Sequence, residues 1–326
     1  MKKIDYYICN ETRRASGRLP MRIMAGHLLF MEVFGLADVK PFKTYDEQLD
    51  ILKRRGMIIE DEDYALKVLK SENYYRLSGY WLTMLVRAEN DSEEDRFYLG
   101  TTFDDLMDLY EFDAELRNVI FDAVRIIETN IKSFVAYSHA EKYGPLGYRD
   151  SNNFDNAEFH NATLDVLKKD IHNNRNEAVI KHHIYNKDGN LPIWAIVDYM
   201  TFDQISKFYK NMLPQDKKYI AKEYYGIPNR EYIENWIQCA VVARNIAAHG
   251  ARFYNRHAYN PGVRLPDGYK IYANTFFGYV YAIYNLLPFE NRDGFIEELD
   301  SCIKAHSYVK LEYLHIPNNW REILSK

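Results

Sequence analysis

Between residues 116 and 135, apolar side chains fall at Leu116, Val119, Ile120, Ala123, Ile127, Ile131, Phe134 and Val135. Steps of three and four residues place them on one stripe of a helix. The pattern starts at Thr102-Phe103-Asp104-Asp105 and stops at Tyr143-Gly144-Pro145, a strong breaker. It is the longest helical pattern in the chain. Upstream, Thr44-Tyr45-Asp46-Glu47 opens a helix in capping-box fashion and Arg55-Gly56 ends it. A second helix is predicted over about 62–71 and a third segment over 74–87, followed by a solvated acidic loop at 89–95. Downstream, loops at 144–157 and 185–192 flank a polar helix. Helices follow near 194–209 and 214–224, then from 230 to about 248 or beyond. Two more, 274–287 and 293–305, close the chain. Pro266-Asp267-Gly268 makes a small hairpin over 263–271 an option.

Strand alternation is scarce, so the expected class is all-α, a helical bundle. Three regions are expected: an N-terminal extension over 1–40, basic and then a short apolar helix, a helical subregion over 41–100 and a helical core over 101–326. No repeat of 20–50 residues is visible.

Composition narrows the field. The 326 residues suffice for a full core, and 47% apolar content is ordinary for a globular protein. The three cysteines are scattered and form no CxxC pair, which argues against a disulfide framework or thiolate metal site and fits a reducing cytoplasm. The apolar stretch at 23–39 is interrupted by His27, Glu32 and Asp38, too short and polar for a membrane span. His182-His183 lack a companion ligand cluster, and no phosphate-binding glycine loop or GxSxG elbow occurs. Neither cofactor nor metal is expected.

The formal charge of −5 hides an asymmetry. Residues 60–128 hold 18 acids against seven bases, so the rest of the chain is net positive. From 235 to 266 there is no acid at all, while Arg244, Arg252, Arg256, Arg264, His249 and His257 all fall inside. Such a stretch suits a polyanion. Its centre reads Arg244-Asn245-Ile246-Ala247-Ala248-His249. A guanidinium can fork onto phosphate and stays charged, and an imidazole can move a proton to or from a ribose hydroxyl. On a straight helix Asn245 and His249 are neighbours, with Arg252 and Arg256 extending that face, but Arg244 lies about 140° from His249. Either Gly250 breaks the helix and frees His249, or Arg and His meet across two chains. The plain alternative is an Arg and a His serving helix ends inside a bundle.

Two other features stand out. Asn73-Tyr74-Tyr75-Arg76-Leu77-Ser78-Gly79-Tyr80-Trp81 interleaves aromatics with Arg76, which could stack bases or form a close helix seam at Ser78 and Gly79. Glu128 and Lys132 are four apart on the long helix, ordinarily a surface pair, otherwise a polar pair facing a cleft.

Taken together, Lys40-Pro41-Phe42, Arg55-Gly56-Met57-Ile58-Ile59, the 73–81 motif, Glu128, Tyr143-Gly144, Pro192-Ile193-Trp194, Met200-Thr201-Phe202, Arg244-Asn245 with His249 and Arg252, and Pro317-Asn318-Asn319-Trp320 resemble the bacterial abortive-infection Abi-like family of the AbiD and AbiF type. The resemblance runs over about 38–322. It implies the HEPN superfamily: all-α proteins whose Arg-x4-6-His motif carries metal-independent RNase activity in many members, commonly as homodimers with two motifs facing one cleft. It makes Arg244 and His249 the catalytic candidates, Asn245 the polar residue within the motif and Glu128 a supporting acid. Lys132 stands where relatives often carry arginine, a point charge in place of a fork.

The reading is therefore a cytoplasmic, homodimeric endoribonuclease of phage defence or of toxin type, cutting RNA by transesterification, with a noncoding RNA as a candidate regulator. Arg252, Arg256, Arg264 and Arg76 are the candidate RNA contacts. The alternative is an inactive RNA-binding module that grips a structured RNA with the same patch. A third reading, a protein-interaction scaffold, draws only on the acidic 60–128 region.

Overall fold

In the computed structural model, which describes residues 41–86, 94–257 and 259–325, helices begin where a short polar side chain can accept a free backbone N–H. Helix α1 (Tyr45–Arg54) starts just after Thr44, and Gly56, at φ +94°, turns the chain beyond it. Asp61 accepts from Tyr64 N at 2.8 Å and caps α2 (Glu62–Ser71). Asn73 does the same with Tyr75 N for α3 (Tyr74–Trp81). One 3-10 turn leads into β1 (Leu85–Val86), which pairs antiparallel with β2 (Arg96–Phe97).

Thr102 and Asp105 then exchange side-chain and backbone hydrogen bonds in a full capping box. Behind it runs α4 (Phe103–Tyr143), 41 residues long, or roughly 60 Å at about 1.5 Å per residue. Leu116, Ile120, Ala123, Ile127, Ile131 and Val135 are buried, and Val119 and Phe134 lie at the edge of the same stripe. Gly144, at φ +77°, ends the helix as expected.

The 144–157 connection contains two short 3-10 turns, and the single polar helix expected next is two, α5 (Ala157–Asn173) and α6 (Ala178–Asn186). The helix expected over 194–209 is also divided, into the one-turn α7 (Ile193–Ile196) and α8 (Phe202–Asn211). Thr201 and Gln204 form a second capping box there, which restarts the chain as a new helix. After α9 (Pro214–Tyr225), Gly226 in the left-handed region makes the turn toward α10 (Arg230–Ala248). The last helices are α11 (Phe276–Leu286), α12 (Phe289–Ala305) and the short α13 (Trp320–Leu324). The reading of residues 1–40 as an appended arm lies outside the described residues.

The hairpin considered for 263–271 does not form. Asn235 Oδ1 accepts from Arg264 N at 2.6 Å, and Trp236 Nε1 donates to Arg264 O at 2.8 Å. Side chains of α10 have thus taken the groups a strand partner would need, and Pro266 has no N–H to offer. The segment is a loop laid over α10, closing in a turn at Pro266–Tyr269 and a 3-10 turn at Lys270–Tyr272.

Residues from Tyr45 onward cluster as one unit organised around α4. α10 packs along α4 and against α8 and α11, while α12 runs along another part of α4. α10 buries Ile233, Trp236, Ile237, Ala240 and Ala243 in this arrangement. The fold is mostly helical, and its only sheet among the described residues is the two-stranded one.

Candidate functional site at the end of helix α10

The buried face of α10 decides what its other face offers. Ala243 and Ile246 point into the core, Arg244 is half-buried, and Asn245, Ala248 and His249 are exposed. The helix ends through a glycine C-cap: Ala251 N donates to Ile246 O at 2.9 Å, Gly250 N to Ala247 O at 3.1 Å, and Gly250 adopts φ +63°. His249 is the capping residue, with φ −87° and ψ 6°. Gly250 does break the helix, as one of the two sequence options required. The break leaves Arg244 and His249 unjoined by any hydrogen bond within the chain. Arg244 Nη1 instead faces Asn245 Oδ1 at 3.5 Å, so the arginine and the amide present one polar edge a turn before the imidazole.

The other candidate residues divide. Arg76 reaches the motif: its Nη2 donates to the Gly250 carbonyl at 2.8 Å. Arg252 turns inward, with its guanidinium 5.7 Å from the centre of the Tyr80 ring and its Nη1 buried without a hydrogen-bond partner. Burial lowers its pKa, with Tyr80 and Asp113 pulling the other way. Arg256 likewise lies over the Tyr259 ring at 5.6 Å with a buried, unpartnered Nε. Arg264 is exposed but paired with Glu231 at 2.9 Å. The four arginines of the acid-free stretch therefore do not form one open cationic wall.

Lys132 and Glu128 are ion-paired at 3.0 Å with only 13% and 20% of their side chains exposed. They are not the open surface pair that spacing on an isolated helix suggests; neighbours packed against α4 cover them. In the 73–81 motif, Leu77, Tyr80 and Trp81 are buried while Tyr75 and Arg76 are exposed. The motif is therefore a helix seam with one outward arginine.

What sequence reasoning missed is the carboxylate beneath the site. Asp113 is fully buried and takes four donors. Phe253 N and Tyr254 N reach its Oδ1 at 3.0 and 2.8 Å; the Tyr80 hydroxyl and Arg117 Nη1 reach Oδ2 at 2.8 and 2.5 Å. Burial pushes the Asp113 carboxyl upward, against the pull of Arg117 and the backbone N–H groups. Asp113 and Arg117 fall on the same helix face as Leu109, Phe112, Leu116 and Ile120. The available signal is a pair of opposite charges on this apolar stripe, at and just before the start of the 116–135 stretch.

A polar groove of about 300 Å³ runs along the first half of α10, lined by Lys217, Arg230, Glu231, Glu234, Asn235, Gln238 and Arg264. Gln238 and Asn245 are seven residues apart, within about 20° on the helix. The groove thus opens on the face that carries Asn245 and His249. Its charges are largely paired, Lys217 with Glu234 at 2.8 Å and Arg264 with Glu231. Cys239 and Cys302 are buried thiols pushed up to about 12 by burial, unsuited to act as nucleophiles at neutral pH.

Fold and site define an all-α protein whose exposed imidazole stands at a helix end one turn beyond an arginine and an amide. The family model described as Abi-like protein matches residues 67–255, from within α2 through the loop after His249. That is more than half of the chain and includes α3, α4 and the whole of α10. The chain belongs to the Abi-like protein family, which points to a role in abortive infection. No curated protein and no solved structure matches the chain. No helix among the described residues is long and apolar enough to cross a membrane.

Proposed function

We propose that the chain is a metal-independent endoribonuclease of HEPN type, cytoplasmic, acting in phage defence or as a toxin. The observation that carries this reading is the end of α10: His249 exposed at the cap, with Arg244 and Asn245 one turn behind it. In the reaction a ribose 2′-oxygen attacks the adjacent phosphorus. The P–O2′ bond forms, the P–O5′ bond breaks, and the products are a 2′,3′-cyclic phosphate and a free 5′-hydroxyl. The attacking hydroxyl must lose a proton and the leaving oxygen must gain one. Arg244 holds the non-bridging oxygens and stabilises their developing charge. A single imidazole serves one proton transfer at a time, so a homodimer that brings two motifs to one cleft supplies both. It also relieves the lack of contact between Arg244 and His249 within one chain.

The rival reading, an inactive module gripping a structured RNA, needs an open cationic surface. Arg252 and Arg256 turn inward and Arg264 is tied to Glu231, so that surface is smaller than the sequence suggests. A noncoding RNA as regulator of the active protein remains part of the proposal.

The test is cleavage of single-stranded RNA by the purified chain in EDTA. Cyclic-phosphate ends are expected, with a loss of about 10²-fold or more in His249→Ala, the usual scale for removing a proton-transfer group. Equal rates for His249→Ala and the unaltered chain would overturn the proposal. Intact copurified RNA, whose binding falls steeply with salt and ignores that substitution, would establish the rival.

A further inference from the structure

Helix α3 and the end of α10 are far apart in sequence, yet three contacts fasten them together. Arg76 Nη2 donates to Gly250 O at 2.8 Å. The guanidinium lies so close that a Cβ on Gly250 would stand 2.9 Å from Nη2 and 3.4 Å from Nη1. Glycine is favoured at this position by φ +63°, and its bare α-carbon lets the Arg76 guanidinium rest against the chain there. One turn along α3, Gly79 leaves similar room for Arg252, whose Nη1 would be 2.9 Å from a Cβ there. Tyr80 then joins Asp113, which also holds Phe253 N and Tyr254 N. The segment that follows His249 is thus held at the Gly250 carbonyl, at the Arg252 side chain and at the backbone N–H groups of Phe253 and Tyr254.

Arg76 is itself held in place. It lies over the Tyr110 ring at 5.7 Å, its Nε is 3.9 Å from Glu72 Oε2, and the Tyr110 hydroxyl donates to that same oxygen at 2.6 Å. The guanidinium is therefore aimed by α4 and by the residue that ends α2, independently of α10.

We propose that Arg76 is the positioning residue of the α10 site: by holding the carbonyl next to His249 it fixes the turn on which the imidazole stands. A planar fork suits this place because it can lie flat against a glycine while donating to a carbonyl. A lysine ammonium reaches the carbonyl as a single point and leaves the flat contact empty. The Gly250 carbonyl belongs to the 250–251 peptide, so releasing it frees Gly250 to turn and lets the imidazole swing away from the polar edge formed by Arg244 and Asn245. Displacements of about 1 Å in such groups cost on the order of 10²-fold in rate. The kinetic consequence rests on the endoribonuclease reading; the structural one does not.

The test uses the full chain with Arg76→Gln and Arg76→Lys. Hydrogen exchange is followed at the Gly250 and Ala251 amides, which close the α10 cap, and RNA cleavage is resolved into kcat and KM. In Arg76→Gln, exchange at those two amides should rise about tenfold or more while amides within α4 stay protected. kcat should fall by about ten- to a hundredfold with KM within about twofold, and Arg76→Lys should recover part of the loss. Faster exchange in a chain that cuts no RNA would support the positioning role while the endoribonuclease reading falls. Unchanged exchange, or a raised KM with kcat held, would overturn the positioning role, the second result marking Arg76 as an RNA contact instead.

Discussion

Replacing Asp113 by asparagine tests whether the buried carboxylate organises the loop after His249. The side chain keeps its size and one oxygen can still accept from Phe253 N and Tyr254 N. The other position becomes an NH2 group facing two donors, the Tyr80 hydroxyl and Arg117 Nη1. The Arg117 side chain is 9% exposed, so its charge is left nearly desolvated and uncompensated. Breaking a buried pair in this one-sided way costs about 3–5 kcal/mol, and the retained backbone contacts place Asp113→Asn near the lower end. For a chain of this size that corresponds to a fall in Tm of roughly 5–10 °C. Urea unfolding of Asp113→Asn, Arg117→Met and the double variant gives the measurement. The double should be less destabilised than the two singles added, with a coupling of about 1–3 kcal/mol, because Arg117→Met removes the stranded cation. Additive effects, or an Asp113→Asn midpoint indistinguishable from the unaltered chain at equal slope, would refute the assignment.

Two further outcomes follow from the packing. His306 Nδ1 lies 2.8 Å from Asp108 and Nε2 3.2 Å from Glu115; burial opposes its charging, but the two carboxylates prevail and raise its pKa. A raised folded-state value stabilises below the ordinary histidine pKa of about 6.5, and that stabilisation is lost as pH rises through the folded value. The stability gap between the unaltered chain and His306→Gln should therefore narrow with rising pH across that window, and a gap that widens would show the sign to be wrong. Gly278, inside α11, offers a test of sign of another kind. Alanine in a helix interior ordinarily gains about 1 kcal/mol over glycine. Here a Cβ would collide with the Tyr272 carbonyl oxygen, so Gly278→Ala should cost about 1–3 kcal/mol in chemical denaturation. A stabilised variant would mean that the 3-10 turn at Lys270–Tyr272 yields freely.

The helices were largely legible because their signals are local. Thr102 and Asp105, Gly144, Gly226 and Gly250 act within a few residues of their own position, and the structure has a helix boundary at each. Errors arose where a local pattern met a competing partner. Thr201 and Gln204 restarted a helix that apolar spacing alone would have carried through. The 263–271 segment lost its strand pairing to Asn235 and Trp236, residues almost thirty positions away. In the candidate site, the order Arg244-Asn245-His249 could be read directly, while the helix break at Gly250 was one of two options that helical geometry left open. The roles of Arg76, Gly79 and Asp113 could not, since each acts on backbone or side chains beyond position 249 from a distant helix.

By itself the sequence determined the helical class, most helix ends, the family and the titratable motif. All of these depend on periodicity, caps and residue order, which persist without a neighbour. The tertiary structure alone decided which arginines face solvent. Arg252 and Arg256 are as cationic in sequence as the exposed Arg264, but Tyr80 and Tyr259 cover their guanidinium groups. It also turned Glu128 and Lys132 from a surface pair into a half-hidden one and brought Arg76 from α3 to the carbonyl beside His249. The physical reason is common to all three. Whether a charge is available depends on what packs over it, and the packing partner lies elsewhere in the chain.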